Sequence, residues 1–305
     1  MVIKLGSRGK RVAQIQTLLG LRPDGVFGPN TELAVKMWQK KNGLLPDGIV
    51  GPKTWKKISE VDTDFTTLND GDTYKTFSKT DFITKNGLDV VEYFMPKDEY
   101  KSGPINPEYI FLHHTAGWNN PFNTITQWAN DKRGRIATEF VLGGQKINDN
   151  DDTYDGVMVQ SFPKGNWGYH LGRNGSNHMH INSVGVELCN FGWIKNGKTW
   201  ANVRADESQV VKLSKSFRGY REWHRYSDEQ LKSLDLWLRW IAERDNIDIR
   251  EGLPKLIKDY GVKAFEFNRD AYYGKVKGIL SHTNIRKDKF DVFPQQELMD
   301  MLTSL

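Results

Sequence analysis

Residues 110–117 read IFLHHTAG, a short apolar run that ends in two adjacent histidines. If the run forms a strand, its successive side chains leave opposite faces of the sheet. His113 then lies on the face of Phe111, and His114 lies on the face of Leu112. The doublet is therefore predicted to place its imidazoles in two different environments. The strand pattern alone leaves open which of the two histidines serves chemistry.

The second half of the chain alternates between apolar strands and amphipathic helices. Strands are predicted at 108–113, 135–142, 183–190 and 278–281, and helices at 120–128, 227–246 and 294–305. Ser227 and Gln230 form a capping-box pattern at the start of the longest of these helices. The alternation predicts an α/β domain with a central mixed β-sheet flanked by helices.

The N-terminal part carries an internal repeat, PDGVFGPNT at 23–31 and PDGIVGPKT at 46–54. The Asp-Gly and Gly-Pro steps in each copy are turn signals that precede a helical stretch. Helices are predicted from an N-cap at Ser7 to Gly20, over 31–42 and over 54–58. A repeat this short cannot bury a core alone, so the two copies are predicted to form one small all-α domain of three helices.

A polar stretch separates the two regions. Residues 61–80 are rich in Thr, Asp, Asn and Ser and have little periodic apolar content. Such a composition is typical of a linker. The predicted organisation is therefore a small domain at 1–60, a linker at 61–80 and a larger domain at 81–305.

Composition limits the classes of partner. The 305 residues carry a formal net charge of +5, with a pI near 9.0, which favours anionic nucleic acid, lipid or cell-wall polymer. A nucleic-acid surface would need clustered basic residues with stacking aromatics, whereas Lys and Arg are spread along this chain, so no nucleic acid is expected. No apolar stretch reaches the ~18 residues of a membrane span. The single cysteine, Cys189, excludes an internal disulfide.

Three features compete for chemistry: the histidine pair, His282 with Asp291 a few positions later, and Glu187 inside an apolar strand. Two histidines and one carboxylate from separate segments make a common open zinc site, which leaves a position for water. A nearby carboxylate can accept the proton of that water. Each feature also has a structural explanation, because strand-end histidines are often only hydrogen-bonded. Glu187 could face solvent, and Asp291 could cap the last helix.

Several motifs carry a resemblance to known families. Residues 1–60 resemble the peptidoglycan-binding type 1 domain, a cell-wall anchor whose signature is this doubled D-G-x-x-G-P-x-T. Residues 81–305 resemble the zinc-dependent N-acetylmuramoyl-L-alanine amidase family (amidase type 2). The matching pieces, in the family's order, are IFLHHTAG, ATEFVLGG, NWGYHLG, NSVGVELCNFG and SHTNIRKDKFD. Two segments, 195–226 and 247–275, match poorly.

The amidase resemblance implies roles for particular residues. It places zinc ligands at His113, His282 and Asp291. Lys289, two positions before the third ligand, is implied to stabilise the oxyanion of the transition state. Glu187 matches the glutamate that serves as general base in some members of the family.

Two departures from the family pattern leave alternatives open. Where other members place a tyrosine, this chain has Thr138. Thr138 and Glu139 beside it are minor candidates for substrate binding, and Glu139 is also a minor candidate for the base. The Asp-Pro-Gly that usually follows the metal segment is replaced by Asp291-Val-Phe-Pro, which leaves Asp288 as an alternative ligand. His170, in WGYH, matches a segment near the substrate groove, although it could instead pack on Trp167.

The remaining histidines and the cysteine carry weaker signals. His178 and His180 could form a second metal site, but their Gly/Asn-rich surroundings favour a solvated loop. His224 is predicted to be a surface residue. Cys189 is predicted to be a small packing residue rather than a nucleophile.

Together, the resemblances imply a monomeric, modular peptidoglycan hydrolase that cuts the amide between N-acetylmuramic acid and L-alanine of the stem peptide. The start MVIKLGSRGKRVAQ lacks the apolar core of a Sec signal, so synthesis in the cytosol is expected. With a wall anchor, this resembles phage endolysins, which reach the wall after a holin opens the membrane. The alternatives are a non-catalytic peptidoglycan recognition protein and a bacterial autolysin or effector amidase.

Overall fold

The computed structural model describes residues 2–19, 21, 23–60, 82–85, 87–148, 154–172 and 176–305. The chain divides into two compact units, Met1–Asp81 and Phe82–Leu305. The linker predicted at 61–80, and Gly20 as a helix end, lie outside the described residues, so the predicted domain limits stay predictions. Among the described helices, none combines the length and the apolar character that crossing a membrane requires.

The first unit is helical, as the sequence predicts. Its helices are α1 (Lys10–Leu18), α2 (Pro29–Lys41) and α3 (Pro52–Glu60). The last two begin at the prolines of the repeat, because proline suits the first turn of a helix. The predicted Ser7 cap is wrong: the N-cap of α1 is Gly9, and the Ser7 hydroxyl accepts the Lys4 amide instead.

Each copy of the repeat surrounds a buried glutamine. The Gln16 side-chain nitrogen lies 2.6 Å from a carboxylate oxygen of Asp24 and 3.0 Å from the hydroxyl of Thr31, and its oxygen accepts the Gly25 amide at 2.9 Å. The second copy repeats these contacts with Gln39, Asp47, Gly48 and Thr54. The Asp, Gly and Thr of the doubled motif therefore have a structural role in both copies.

The second unit contains strands and helices in alternation. Its strands are β1 (Phe82–Lys85), β2 (Leu88–Glu92), β3 (Lys101–Ser102), β4 (Tyr109–His114), β5 (Phe140–Leu142), β6 (Met158–Gln160), β7 (Asn166–Trp167), β8 (Ser183–Leu188), β9 (Trp193–Lys195), β10 (Lys198–Thr199), β11 (Val210–Phe217), β12 (Tyr220–His224) and β13 (Gly278–Ser281). Its helices are α4 (Pro121–Ala129), α5 (Asn177–Ile181), α6 (Asp228–Asp245), α7 (Leu253–Tyr260), α8 (Arg269–Tyr272), α9 (His282–Ile285) and α10 (Gln296–Thr303).

The main sheet has seven strands in the order β1-β2-β6-β5-β8-β4-β13. Three neighbouring pairs are parallel, namely β5–β8, β8–β4 and β4–β13. The pair β5–β6 is antiparallel. The predicted α/β fold with a mixed sheet is confirmed. A second sheet, in the order β10-β9-β12-β11, is built from the segment at 195–226 and the strand before it.

One predicted strand boundary and one predicted capping box need correction. The strand predicted at 135–142 is reduced to β5, because Arg135 has a positive φ of 54° and its carbonyl pairs with Tyr169 outside the sheet. Ser227 caps α6 as predicted, accepting the Gln230 amide at 3.0 Å. The Gln230 side chain, however, donates to carbonyls of neighbouring segments, including that of Cys189, so the capping box is incomplete.

The two faces of β4 point into different cores. Ile110 and Leu112 belong to the large apolar cluster that β4 shares with α6, α7 and α10. Tyr109 and Phe111 belong to a smaller cluster with residues of α5, α8 and α9. The alternation predicted from the sequence is confirmed, and it puts the two histidines of the doublet on opposite sides of the sheet.

Candidate metal centre

The candidate site lies where the parallel strands of the main sheet end. His113 is near the end of β4, its register partner on β8 is Glu187, and His282 follows directly after β13. Adjacent parallel strands end at the same edge of the sheet, so these side chains come together. Asp291 returns to the same place, because its carbonyl accepts the Thr283 amide at 3.2 Å.

Three ligand-type atoms converge at this edge. The Nδ1 atoms of His113 and His282 are 3.2 Å apart, and Oδ2 of Asp291 lies 3.2 Å and 3.0 Å from them. All three residues are buried, and they form the group of possible metal ligands found among the described residues. The Nε2 atom of His282 is also buried and has no hydrogen-bond partner in the described part of the chain.

The protonation states suit a cation. Burial lowers the pKa of His113 to about 4, although the adjacent Asp291 carboxylate opposes that shift. Burial by itself would raise the pKa of Asp291, but His282 and His113 hold that pKa well below its usual range. A neutral imidazole and an ionised carboxylate are the forms that bind metal ions.

The spacing also suits a metal ion. Polar atoms this close in a buried triangle need a proton or a cation between them. Zinc bonds to nitrogen and oxygen of about 2.0–2.2 Å place neighbouring ligand atoms about 3.3 Å apart in a tetrahedral site. The observed separations of 3.0–3.2 Å are close to that value.

His170 lies behind His113 rather than on Trp167. Its Nδ1 is 2.9 Å from Nε2 of His113, and its Nε2 is 2.9 Å from the hydroxyl of Ser183. If His170 donates to Ser183, it must accept the Nε2 proton of His113. That tautomer leaves the Nδ1 lone pair of His113 directed at the cluster. Ser183 was not predicted, although strand alternation puts it on the same face of β8 as Glu187.

Glu187 is half-buried beside the cluster, and none of the described side chains hydrogen-bonds its carboxylate. Burial and the nearby Asp291 charge raise the pKa of Glu187 well above its usual value, while Lys289 lowers it. Lys289 is itself half-buried, and its charge also acts on His113. The carboxyl of Glu187, with its raised pKa, and the cationic side chain of Lys289 therefore both interact electrostatically with the cluster.

The alternative carboxylates have other partners. Asp288 is exposed and forms an ion pair with Arg286, with an Nε–Oδ1 distance of 2.8 Å. Glu139 is buried in a two-pronged ion pair with Arg244, at 2.6 Å and 3.0 Å. Neither joins the cluster. Asp291 does not cap the last helix either, since the N-cap of α10 is Gln295.

Thr138 lies on the site's side of the sheet. A Cβ atom added to Gly185 would be 2.8 Å from the Thr138 methyl and 3.2 Å from Nδ1 of His170. The three residues are therefore tightly packed beside one another. Thr138 therefore lies next to His170, the residue that hydrogen-bonds to His113. Its neighbour Glu139 faces α6.

The doublet's second histidine is a neighbour of the site. Nδ1 of His114 is 2.8 Å from the Tyr226 hydroxyl, and the ring packs near Trp223 and Phe293. Burial lowers the pKa of His114 to about 4. A neutral His114 that is hydrogen-bonded in an aromatic core has a packing role.

The other singled-out residues lie apart from the cluster. His178 is exposed and bonds to Glu108 at 3.1 Å. The predicted solvated loop is wrong, because both histidines lie on α5 and His180 is buried, where it accepts the His170 amide. The prediction that His224 is a surface residue is wrong. It is 1% exposed, its Nδ1 accepts the amide of Phe191, and burial lowers its pKa to about 3.

Cys189 is fully buried, with its sulfur 3.7 Å from the Thr124 hydroxyl. Burial raises the pKa of this thiol. A protonated, enclosed thiol is a poor nucleophile. Its environment is that of the small packing residue predicted from the sequence.

Fold and site together define an α/β protein with a candidate metal centre at the carboxyl edge of its sheet. Residues 103–289 match the family model described as N-acetylmuramoyl-L-alanine amidase, and residues 8–58 match that of a putative peptidoglycan binding domain. The first match covers more than half of the chain. The protein therefore belongs to the N-acetylmuramoyl-L-alanine amidase family of peptidoglycan hydrolases.

Solved structures give weaker likenesses. A peptidoglycan-binding protein from Clostridioides difficile is 43% identical, with a TM-score of 0.19. That match covers 19% of this chain and 40% of the other. A mutant endolysin from Bacillus subtilis is 17% identical, with 53% and 80% of the two chains covered and a TM-score of 0.33. The N-acetylmuramoyl-L-alanine amidase LysC from Clostridium intestinale URNW is 15% identical, with 68% and 96% covered and a TM-score of 0.35. The family match, rather than these superpositions, carries the assignment.

Proposed function

We propose that the second unit is a zinc-dependent amidase that hydrolyses the bond between N-acetylmuramic acid and L-alanine, with His113, His282 and Asp291 as zinc ligands. The observation that carries the zinc proposal is the buried triangle of two Nδ1 atoms and one carboxylate oxygen. When bound there, zinc would lower the pKa of a water molecule and polarise the scissile carbonyl. The family model ends at 289, so the role of Asp291 rests on this geometry.

We assign the proton transfers to Glu187. It lies on the same face as His113 and at the same level of the sheet, and it has no competing hydrogen bond from a described side chain. Its raised pKa favours holding a proton, as a group that alternates between base and acid requires. Glu187 takes a proton from the attacking water and passes it to the nitrogen of the leaving alanine.

Lys289 and His170 support this chemistry in different ways. The Lys289 charge acts on both Glu187 and His113, which supports a role in stabilising negative charge that develops on the carbonyl oxygen. His170 accepts a hydrogen bond from Nε2 of His113 and fixes the tautomer of that imidazole. Partners of this kind orient a ligating imidazole.

We propose that the first unit binds the same polymer that the second unit cuts. Its match to the peptidoglycan-binding model and the chain's net charge of +5 both support an anionic wall as the partner. A monomer suffices for this arrangement.

Release of the enzyme as a phage endolysin through a holin is a separate prediction. Expression in growing cells tests it: lysis should require a holin, and lysis by the protein alone would contradict it.

Mass spectrometry of digested, purified peptidoglycan tests the reaction. The zinc-loaded protein should release stem peptides with a free L-alanine amino terminus and leave intact glycan strands. The Glu187→Gln variant should bind zinc normally but turn over about 10²–10⁴-fold more slowly, the usual contribution of a general base. New reducing sugar ends, or no new amino termini with zinc bound, would overturn the amidase proposal. The second outcome would indicate a non-catalytic recognition protein.

A further inference from the structure

We call residues 282–291, which begin with the short helix α9, the 282–291 loop. Two of the three proposed ligands lie on this loop, and a distant residue holds it. Arg218 donates from Nη1 to the carbonyl of Lys287 at 2.8 Å and from Nη2 to the carbonyl of Thr283 at 3.2 Å. Both carbonyls lie between His282 and Asp291 in the chain. The guanidinium therefore bridges the two halves of the 282–291 loop.

Arg218 belongs to the tight turn between β11 and β12. Phe217 and Tyr220 are register partners, so Arg218 and Gly219 form a two-residue turn, with φ values of 52° and 89°. Both central residues of a type I′ turn need positive φ, a region that favours Gly, Asn or Asp over arginine. A strained arginine at a turn tip suggests that its side chain has a specific task.

The side chain is largely enclosed where it meets the loop. It is 13% exposed, and its Nη2 lies 3.6 Å from a carboxylate oxygen of Glu266. Nε of Arg218 is buried and has no partner among the described residues. Because guanidinium is planar and rigid, its contacts to two carbonyls fix a geometry that a flexible ammonium cannot reproduce.

Other residues of the poorly matched segments hold the same loop. Tyr220 packs edge-on against Phe290, with ring centroids 6.0 Å apart. From the segment 247–275, the carbonyls of Ala264 and Glu266 accept the Asn284 side-chain amide at 2.7 Å and 3.0 Å. Both segments that depart from the family pattern thus contact the 282–291 loop. Arg218 contacts two carbonyl oxygens of the loop backbone itself.

We propose that Arg218 is a positioning residue, which holds the 282–291 loop so that His282 and Asp291 face His113 at metal-binding distance. This inference rests on the proposed zinc site. It goes beyond that site by assigning the β11–β12 hairpin a role in metal affinity. Arg218 touches neither the converging atoms nor Glu187, so its effect passes through the loop backbone.

The test compares Arg218→Ala with a matched control, Arg221→Ala. Arg221 lies in the same hairpin, is exposed, and donates only to the carbonyls of Leu213 and Ser214 on the neighbouring strand. Zinc affinity of the full chain is measured by chelator competition at a temperature where circular dichroism shows every variant folded. Arg218→Ala should bind zinc about 10–100-fold more weakly, as for lost supporting groups in other metal sites, and Arg221→Ala should match the unmodified chain.

A second readout separates positioning from general stability. The visible spectrum of the Co²⁺-substituted protein reports ligand geometry, and it should change in Arg218→Ala but not in Arg221→Ala. If Arg218→Ala does not fold, Arg218→Lys replaces it. This variant keeps the positive charge but lacks the planar guanidinium, and it should bind zinc several-fold more weakly. Unchanged affinity and spectrum in the folded Arg218 variant would overturn the inference. No zinc binding by the unmodified chain would instead overturn the proposed function.

Discussion

Each unit of the protein buries a group of polar side chains, and the two groups differ in how their atoms are paired. In the first unit, both ends of the Gln16 amide are hydrogen-bonded within the repeat, and Gln39 repeats the pattern. In the second unit, His113, His282 and Asp291 direct their atoms at one another, and Nε2 of His282 has no partner among the described residues.

This difference separates a structural network from a site. A buried polar group whose donors and acceptors are all matched stabilises one conformation and has nothing left to offer a ligand. A group whose ligand atoms converge without enough protons to pair them is costly unless a cation enters. The glutamine networks of the first unit therefore stabilise its fold, and the triangle of the second unit is the candidate place for chemistry.

Substitutions in the histidine doublet should show the largest contrast. His113→Ala removes one of the converging atoms and should abolish zinc binding and amidase activity. His114→Ala should keep zinc but lose about 1–3 kcal/mol of unfolding free energy, because the buried Tyr226 hydroxyl loses its partner. Metal analysis and denaturant unfolding of both variants measure this. Equal loss of zinc in the two variants would contradict the assignment of His113 as a ligand and of His114 to the opposite face of the sheet.

His170→Ala should have the next largest effect. Without its acceptor, the His113 imidazole is free to change tautomer, and zinc affinity should fall about 10–100-fold. Chelator competition gives the affinity, and the ¹⁵N shifts of His113 report the tautomer. His178→Ala is the matched control, because His178 is exposed and lies away from the cluster. If the His113 tautomer and the zinc affinity were unchanged in His170→Ala, His170 would have no role in orienting His113.

The glutamines of the repeat should affect the first unit alone. Gln16→Leu or Gln39→Leu leaves the buried amide of Gly25 or Gly48 without its acceptor, which should cost about 1–3 kcal/mol. Hydrogen exchange of peptides from residues 8–58 should accelerate by a corresponding factor. Zinc content should stay at the level of the unmodified chain. A loss of zinc in either variant would show that the framework and the site are not independent.

His224 should make the free energy of unfolding depend on pH. Burial lowers the pKa of His224 from 6.5 to about 3 in the folded state. The unfolded chain then binds more protons between pH 3 and 6.5, so this residue makes unfolding free energy rise with pH through that window and level off above it. His224→Asn keeps an acceptor for the Phe191 amide and should flatten the slope measured by denaturant unfolding. An unchanged slope would contradict the buried, neutral state.

Much of the site follows from local pattern. The alternation along β4 separates His113 from His114, and β13 at Gly278–Ser281 was predicted with its observed limits. Other features depend on which segments meet in three dimensions. No local signal shows that His224 is covered by Phe191, or that Arg218 reaches the 282–291 loop. The glutamines of the repeat did carry a signal, since they precede both copies at the same offset.

The contrast between the two carboxylates near the site allows the most direct test. Asp291 lies in the triangle, whereas Asp288 is paired with Arg286 at the surface. Bound zinc is measured per chain in the purified 305-residue protein and in Asp291→Asn and Asp288→Asn. We expect one zinc in the unmodified protein and in Asp288→Asn, and a large loss of zinc in Asp291→Asn. Full zinc in Asp291→Asn, or loss confined to Asp288→Asn, would contradict it.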